Sequence, residues 1–240
     1  MKARFIWRAL KARYRDQAAE LRAIRRWVRP EDTVCDIGAN KGSYLYWLSR
    51  WVPRGRVVAF EPQERLAHYL RQACDAVSLE NVTVEASAVG ANSGHMKLFV
   101  PGGGDSPGAS LSRAVATRER CREVLVPVVA LDDYFDESAS VRLLKVDAEG
   151  GEQGVIAGAT RILTRQSPLV LLECENRHLE SGSVADVFRS LSDLGYEGRF
   201  VYRGSLRALH EFDSSIHQRQ SAGRFCDAPE YCNNFVFSKG

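Results

Sequence analysis

Apolar residues recur at helical spacing near the start of the chain. Trp7, Leu10, Tyr14, Leu21, Ile24 and Val28 lie three, four and seven apart with Lys and Arg between them, which predicts an amphipathic helix stopping near Pro30. Beyond Pro30 the pattern becomes short apolar, β-rich runs alternating with helical ones. Strands are predicted at 33–37, 56–61, 82–88, 142–147 and 169–175, and helices at 43–51, 64–77, 151–163 and 184–194. Such alternation implies an α/β fold, a mostly parallel sheet with helices on both faces. Two late β-rich runs, 199–203 and 234–238, are read as a hairpin-like edge, separated by a polar excursion over 204–231.

Two features interrupt the alternation: an extra strand near 96–100 and the Gly-rich stretch that follows it at 101–108. A flexible segment beside a ligand crevice is a lid candidate, assigned here to 101–113, and a slack connection reads equally well. The domain division is accordingly a helix at 1–30 followed by one domain at 31–240. A chain of 240 residues, 45% of them hydrophobic, can bury a core of that size.

Charge alters the reading of the first helix. The formal net charge is +3, yet the first 29 residues hold ten Lys or Arg against Asp16 and Glu20, about +8, leaving roughly −5 for the rest. The apolar stripe has three uses open to it: packing on the domain, pairing in a homodimer, or lying on an acidic surface such as a membrane periphery. No run of residues has the length and apolarity of a signal peptide or a transmembrane span, so the expected location is cytoplasmic. Six cysteines without CxxC or Cys/His spacing suit a reducing compartment and argue against a zinc site.

The chemistry concentrates at predicted strand ends. The first strand runs into Asp36-Ile37-Gly38-Ala39-Asn40-Lys41-Gly42, placing Gly38 and Gly42 where backbone must turn tightly against a ligand, with Asn40 between them. The spacing is not the GxGxxG that cradles a pyrophosphate, and Asp36 would repel a diphosphate but suits a cation. S-adenosyl-L-methionine, with a sulfonium and an ammonium and no phosphate, fits better than NAD or ATP. The second strand ends at Glu61-Pro62, with Glu61 at the offset where an acid reaches a ribose diol. Lys145, Asp147 and Glu149 alternate to one side of the fourth core strand, and Glu173 and Glu175 repeat the period on the next, followed by His178. These carboxylates are candidates to hold or deprotonate a substrate hydroxyl, although Lys145 with a carboxylate could simply anchor the strand. Four acids on adjacent strand ends could also hold a divalent cation, but no spacing is diagnostic and no metal is expected.

Taken in order, DIGANKG, AFEP, NVTVEASAVG, LDDYF, LLKVDAEGGE and NNFVF resemble the FkbM family of methyltransferases over residues 33–175 and the final strand. The resemblance implies a class I, Rossmann-like fold with a seven-stranded sheet whose last strand is antiparallel. It also implies O-methylation of a sugar, lipid-linked, polysaccharide or secondary-metabolite hydroxyl, so the expected partner is a small-molecule or glycan acceptor. By the same resemblance Ser87 and Ala88 line an adenine pocket, and Ser110-Leu111 match a small segment before the fourth motif. The chain departs from the pattern at 101–108, at the first helix and over 204–231, where acceptor choice is expected to reside. Two other readings stay open: an RNA 2'-O-methyltransferase gripping its substrate with the basic helix, which the acidic core disfavours, and a non-catalytic binding module.

Overall fold

The predicted core strands end in the residues singled out for chemistry, so the order of strands in the sheet decides which of those ends meet. The computed structural model describes residues 1–102, 104–117, 120–220, 226 and 228–240. In chain order the strands are β1 (Thr33–Ile37), β2 (Arg56–Phe60), β3 (Val82–Glu85), β4 (Ala88–Val89), β5 (Gly94–Pro101), β6 (Cys121–Val129), β7 (Val141–Asp147), β8 (Leu169–Glu173), β9 (Glu197–Tyr202), β10 (Ser205–Ala208) and β11 (Asn234–Ser238). The helices are α1 (Lys2–Lys11), α2 (Ala18–Trp27), α3 (Leu45–Trp51), α4 (Glu64–Ala76), α5 (Arg113–Ala116), α6 (Leu131–Tyr134), α7 (Glu152–Ala157), α8 (Thr160–Arg165), α9 (Val184–Asp193) and α10 (Ser214–His217).

The main sheet has the order β10-β9-β11-β8-β7-β1-β2-β3. Neighbours from β8 to β3 pair in parallel, whereas β11 is antiparallel to both β8 and β9. This α/β sheet is eight-stranded rather than seven-stranded, because Ser205–Ala208, within the stretch read as a polar excursion, folds back on β9 as an antiparallel edge. β11 pairs antiparallel with β9, but the pair is not the sheet's edge: β11 inserts between β9 and β8, leaving β10 at the edge. Residues 221–225 and 227 of the 204–231 stretch lie outside the described residues, as does residue 103 of 101–113.

Two apolar layers sandwich the sheet. Val34, Val57, Ala59, Leu143 and Leu171 face a layer containing Ile24, Leu45, Leu48 and Leu70 from α2, α3 and α4. Cys35, Val58, Leu144, Val146, Val170 and Leu172 face the other, with Val155, Ile162, Val187 and Leu191 from α7, α8 and α9. Adjacent residues of a buried strand pointing to opposite faces is the pleat of a two-sided sheet. β4, β5 and β6 form a second, three-stranded sheet over a small core of Ala88, Leu98, Val100, Val126 and Val128. The alternation at Val124, Val126 and Val128 is readable as a strand, but Pro127 interrupts the pattern; β6 runs through it, with Pro127 opposite His95 of β5.

Two predicted helices are each broken. The first stops at a π-helical turn, Ala12–Asp16, and restarts after Gln17 at φ −131°. Its buried face in α1 is Phe5 and Ala9, followed by Ala12, rather than Trp7, Leu10 and Tyr14, which point outward. The run 151–163 divides into α7 and α8 at Gly158, where a Cβ would stand 2.1 Å from the Gly90 carbonyl oxygen. Backbone passes so close there that only glycine fits.

Candidate functional site

A crevice opens beyond the carboxyl ends of β1, β2 and β7, where a parallel sheet presents its loops to a ligand. Ile37, Phe60, Ala88, Val89, Leu98 and Leu111 line one part with apolar surface, and Asn40, Glu61, Asp147 and Glu149 line another with polar groups. Gly38, Pro62 and Ser87 complete the contact of the predicted residues with it. Asp36, Gly42, Lys145 and Glu173 stand outside its lining.

Gly38 has φ +74°, and a Cβ on it would sit 1.9 Å from the Asp147 carbonyl oxygen. The turn thus brings the ends of β1 and β7 into backbone contact. Gly38 and Ala39 both donate to the Phe60 carbonyl at 3.0 Å, which fixes the turn to β2 as well. Gly42, φ +75°, serves packing: a Cβ there would meet the Phe5 ring at 2.8 Å and Leu70 at 2.9 Å. The N-terminal helix is therefore built against the turn.

Beneath the turn Lys145, 6% exposed, places Nζ 3.3 Å from Asp36 Oδ1 and 3.3 Å from Asp147 Oδ2, and donates to the Gly38 carbonyl at 3.2 Å. The contact with Asp36 is an ion pair without hydrogen-bond alignment. Burial would lower the lysine's pKa, but Asp36, Asp147 and Glu173 outweigh it and hold the ammonium above its ordinary value. Burial likewise raises the Asp36 carboxyl, with Lys145 opposing. Asp36 and Lys145 together act as a strut under the glycine turn. The Tyr44 ring covers the ammonium at 5.4 Å and is itself buried, a neighbour that no spacing in the sequence announces.

Glu61, 2% exposed, accepts from the Asn40 N–H at 2.8 Å and the Gln63 N–H at 2.9 Å. Gln63, which no motif in the sequence marks, then grips Ser106 twice: its Nε2 donates to the Ser106 carbonyl and its Oε1 accepts from the Ser106 N–H, both at 2.9 Å. That pair carries the Gly-rich segment across the crevice, where Pro107, Ala109 and Leu111 join the lining. Ser110 donates its hydroxyl to the Glu149 carbonyl, and Ser112 donates to the His178 carbonyl at 3.0 Å.

The acids gather at the other end. Parallel register sets Asp147 beside Glu173, so both point to the same side. Glu149, at φ 49°, turns its carboxylate to His178 Nδ1 at 2.7 Å. Burial, with Asp147 adding repulsion and His178 opposing, raises the Glu149 carboxyl. Glu173 keeps some exposed surface, but burial and the charges of Asp147 and Glu149 push its carboxyl well above the usual carboxylate range. Asn233 donates to Glu173 at 2.7 Å and Glu175 at 3.3 Å. It belongs to the closing NNFVF run, and only the insertion of β11 beside β8 reveals its partners. Among the described residues, no three His, Cys, Asp or Glu side chains converge to hold a metal ion.

Glu152, 1% exposed at the start of α7, accepts from the Gly150 N–H at 3.0 Å, while its Oε2 has no partner among the described residues. Burial raises its pKa from 4.5 to about 7. Unfolded chains ionise near 4.5, whereas the folded carboxyl stays neutral up to about 7, so the fold loses stability as pH rises between them and does not regain it above. Glu152→Gln is expected to raise unfolding free energy by up to about 3 kcal/mol near pH 8, with little change near pH 4. Thermal melts of the two proteins across that range check it; an equal shift at both ends would refute the ionisation argument.

Comparison with known proteins follows the same residues. A family model described as "Methyltransferase FkbM domain" matches residues 36–197. The 2-O-methyltransferase NoeI of Sinorhizobium fredii (strain NBRC 101917 / NGR234) is 24% identical over 180 residues, covering 69% of this chain and 72% of NoeI. Methyltransferase 1 of Beauveria bassiana (strain ARSEF 2860) is 26% identical over 150 residues, covering 54% of this chain and 59% of that protein. Among solved structures, methyltransferase FkbM from Methylobacillus flagellatus KT superposes with a TM-score of 0.55 at 16% identity, over 88% of this chain and 44% of that one. Precorrin-6y C5,15-methyltransferase from Geobacter metallireducens GS-15 gives 0.52 at 11% identity, over 94% and 90%. Identities this low show a shared fold. The chain spans less than half of the M. flagellatus chain and about six tenths of the B. bassiana protein.

Proposed function

The chain belongs to the FkbM methyltransferases, with their class I, Rossmann-like fold and S-adenosyl-L-methionine as methyl donor; from that premise we propose that it methylates a hydroxyl oxygen of a sugar, a glycolipid or polysaccharide, or a secondary metabolite. The observation that carries this reading is the pair Asp147 and Glu149 in the crevice lining with Glu173 beside Asp147 on the next strand, Glu149 and Glu173 having raised carboxyls. The similarity to NoeI, named as a 2-O-methyltransferase, supports oxygen as the acceptor atom.

The donor fits the residues present. Asn40 lines the crevice with a buried Oδ1 that has no hydrogen-bond partner among the described residues, an acceptor suited to an ammonium or hydroxyl. Asn40 and Glu61 would hold the polar part of the cofactor, and Ser87, Ala88, Val89 and Leu98 its flat apolar part. Bound there, the cofactor supplies a methyl group already activated on a sulfonium. The protein has the remaining work. Asp147 accepts a hydrogen bond from a neighbouring hydroxyl of the acceptor and orients it, Glu173 takes the proton of the attacking hydroxyl, and Lys145 pairs with Asp147 and holds the glycine turn in place. Glu149 with His178 borders the acceptor and excludes water.

Incubating the protein with S-adenosyl-L-methionine and a panel of glycans, lipid-linked sugars and polyhydroxylated metabolites tests the reading. We expect S-adenosylhomocysteine to accumulate with one acceptor class, which gains one methyl at an oxygen by mass and NMR analysis. Methylation at nitrogen or carbon, or labelling of RNA alone, would overturn it.

A further inference from the structure

Helix α1 has two apolar faces. One, Phe5 and Ala9, continues to Ala12 and is buried against the domain, where Trp47 Nε1 donates to the Ala9 carbonyl at 2.7 Å and Arg8 to the Tyr69 hydroxyl at 2.8 Å. The other lies on roughly the opposite side at 3.6 residues per turn. It consists of Ala3, Trp7 and Leu10, continued by Tyr14 on the π-helical turn that follows, with Trp7 59%, Leu10 42% and Tyr14 71% exposed. On the same wheel Arg4, Lys11 and Arg15 flank this ridge on one side, and Lys2 and Arg13 on the other. Residues 1–16 hold five Lys or Arg besides Arg8 against Asp16, which pairs with Lys11 and Arg15 at 2.8 Å.

We propose that this outer face of α1 seats the protein on an anionic lipid bilayer, with Trp7, Leu10 and Tyr14 entering the headgroup boundary and the flanking cations engaging lipid phosphates. An apolar ridge of Trp, Leu and Tyr between rows of Lys and Arg is the composition of an interfacial helix. Trp and Tyr, apolar with a polar tip, settle at that depth. The charge division favours the same orientation, because the basic end is drawn to the surface while the net acidic remainder is repelled. A second copy fits the face less well, since a two-fold contact would set two strongly basic helices against each other. The helix packs on the cofactor turn through Phe5 and Gly42, so seating it holds the crevice near the bilayer, where a lipid-linked acceptor would be presented. The docking itself does not depend on which acceptor is methylated.

The test is co-sedimentation of the full chain with vesicles of phosphatidylcholine alone and of phosphatidylcholine mixed with phosphatidylglycerol, over a salt series. Binding is expected to the mixed vesicles only, weakening as salt rises, with a blue shift of tryptophan emission that Trp7→Phe largely removes. The triple variant Trp7→Ala, Leu10→Ala, Tyr14→Ala should lower partitioning by at least about tenfold while its melting temperature and S-adenosylhomocysteine binding stay at wild-type values. Failure of the full chain to bind the mixed vesicles at low salt would overturn the proposal, as would unchanged partitioning of the triple variant. So would a dimer in light scattering that the triple variant dissolves, or capture of RNA in preference to the vesicles. Vesicle binding needs no methyl transfer, so its failure is distinct from failure of the O-methylation reading.

Discussion

Gly38→Ala is expected to lower the unfolding free energy by about 2–5 kcal/mol and to abolish measurable S-adenosylhomocysteine binding. At φ +74° an L-residue costs about 1–2 kcal/mol. The greater cost is steric. The new Cβ would lie 1.9 Å from the Asp147 carbonyl oxygen, and neither side of the clash is a flexible side chain. Relief requires β1 and β7 to separate, and overpacking of this kind costs about 1–3 kcal/mol more. The same movement would pull Gly38 from the Lys145 ammonium and from the Phe60 carbonyl, distorting the wall that Asn40 and Asp147 provide to the crevice. Calorimetric titration and thermal denaturation measure the two effects. For a chain of this size the melting temperature should fall by about 10 °C, and a variant that melts normally and binds normally would show that the turn is more pliable than its geometry allows.

Glu173→Gln should behave in the opposite way, losing activity without losing stability. If Glu173 takes the proton of the acceptor hydroxyl, its amide cannot, and kcat is expected to fall by about 10²–10⁴-fold. The glutamine Oε1 can still accept from Asn233, so the local hydrogen bond survives. Because the folded carboxyl titrates above its unfolded value, its ionisation opposes folding as pH rises, and removing it should leave the melting temperature near neutral pH unchanged or higher. Cofactor affinity should also hold, since Glu173 stands outside the crevice lining. The wild-type rate should climb with pH through the raised carboxyl titration, and this acid limb should vanish in the variant. A rate within a few-fold of wild type, or an unchanged acid limb, would move the base to Glu149 with its partner His178. The two outcomes separate cleanly because each predicts a different pH profile for the same substitution.

Loss of activity in Gly38→Ala would thus come with loss of fold, and loss in Glu173→Gln would not. This division mirrors what could be read from the chain. The glycine turn after β1, the acid at the end of β2 and the acidic ends of β7 and β8 are local matters. A strand needs alternation or a continuous apolar run, a tight turn needs φ > 0, and both leave marks within a few residues. The sequence by itself therefore determined the parallel core and the place of the crevice at its strand ends, and it marked part of the lining. The tertiary structure decided which of the marked residues line the crevice and which hold the frame. Asp36 and Lys145 pair beneath the turn because β1 and β7 are neighbours, and Gly42 makes room for Phe5. Gln63, Tyr44 and Asn233 joined the site through partners far along the chain. The two faces of α1 also exchanged roles, because helical spacing identifies an apolar stripe but not which stripe another element will cover. Burial and charge at a point in space depend on everything packed around it, and only the folded chain specifies that.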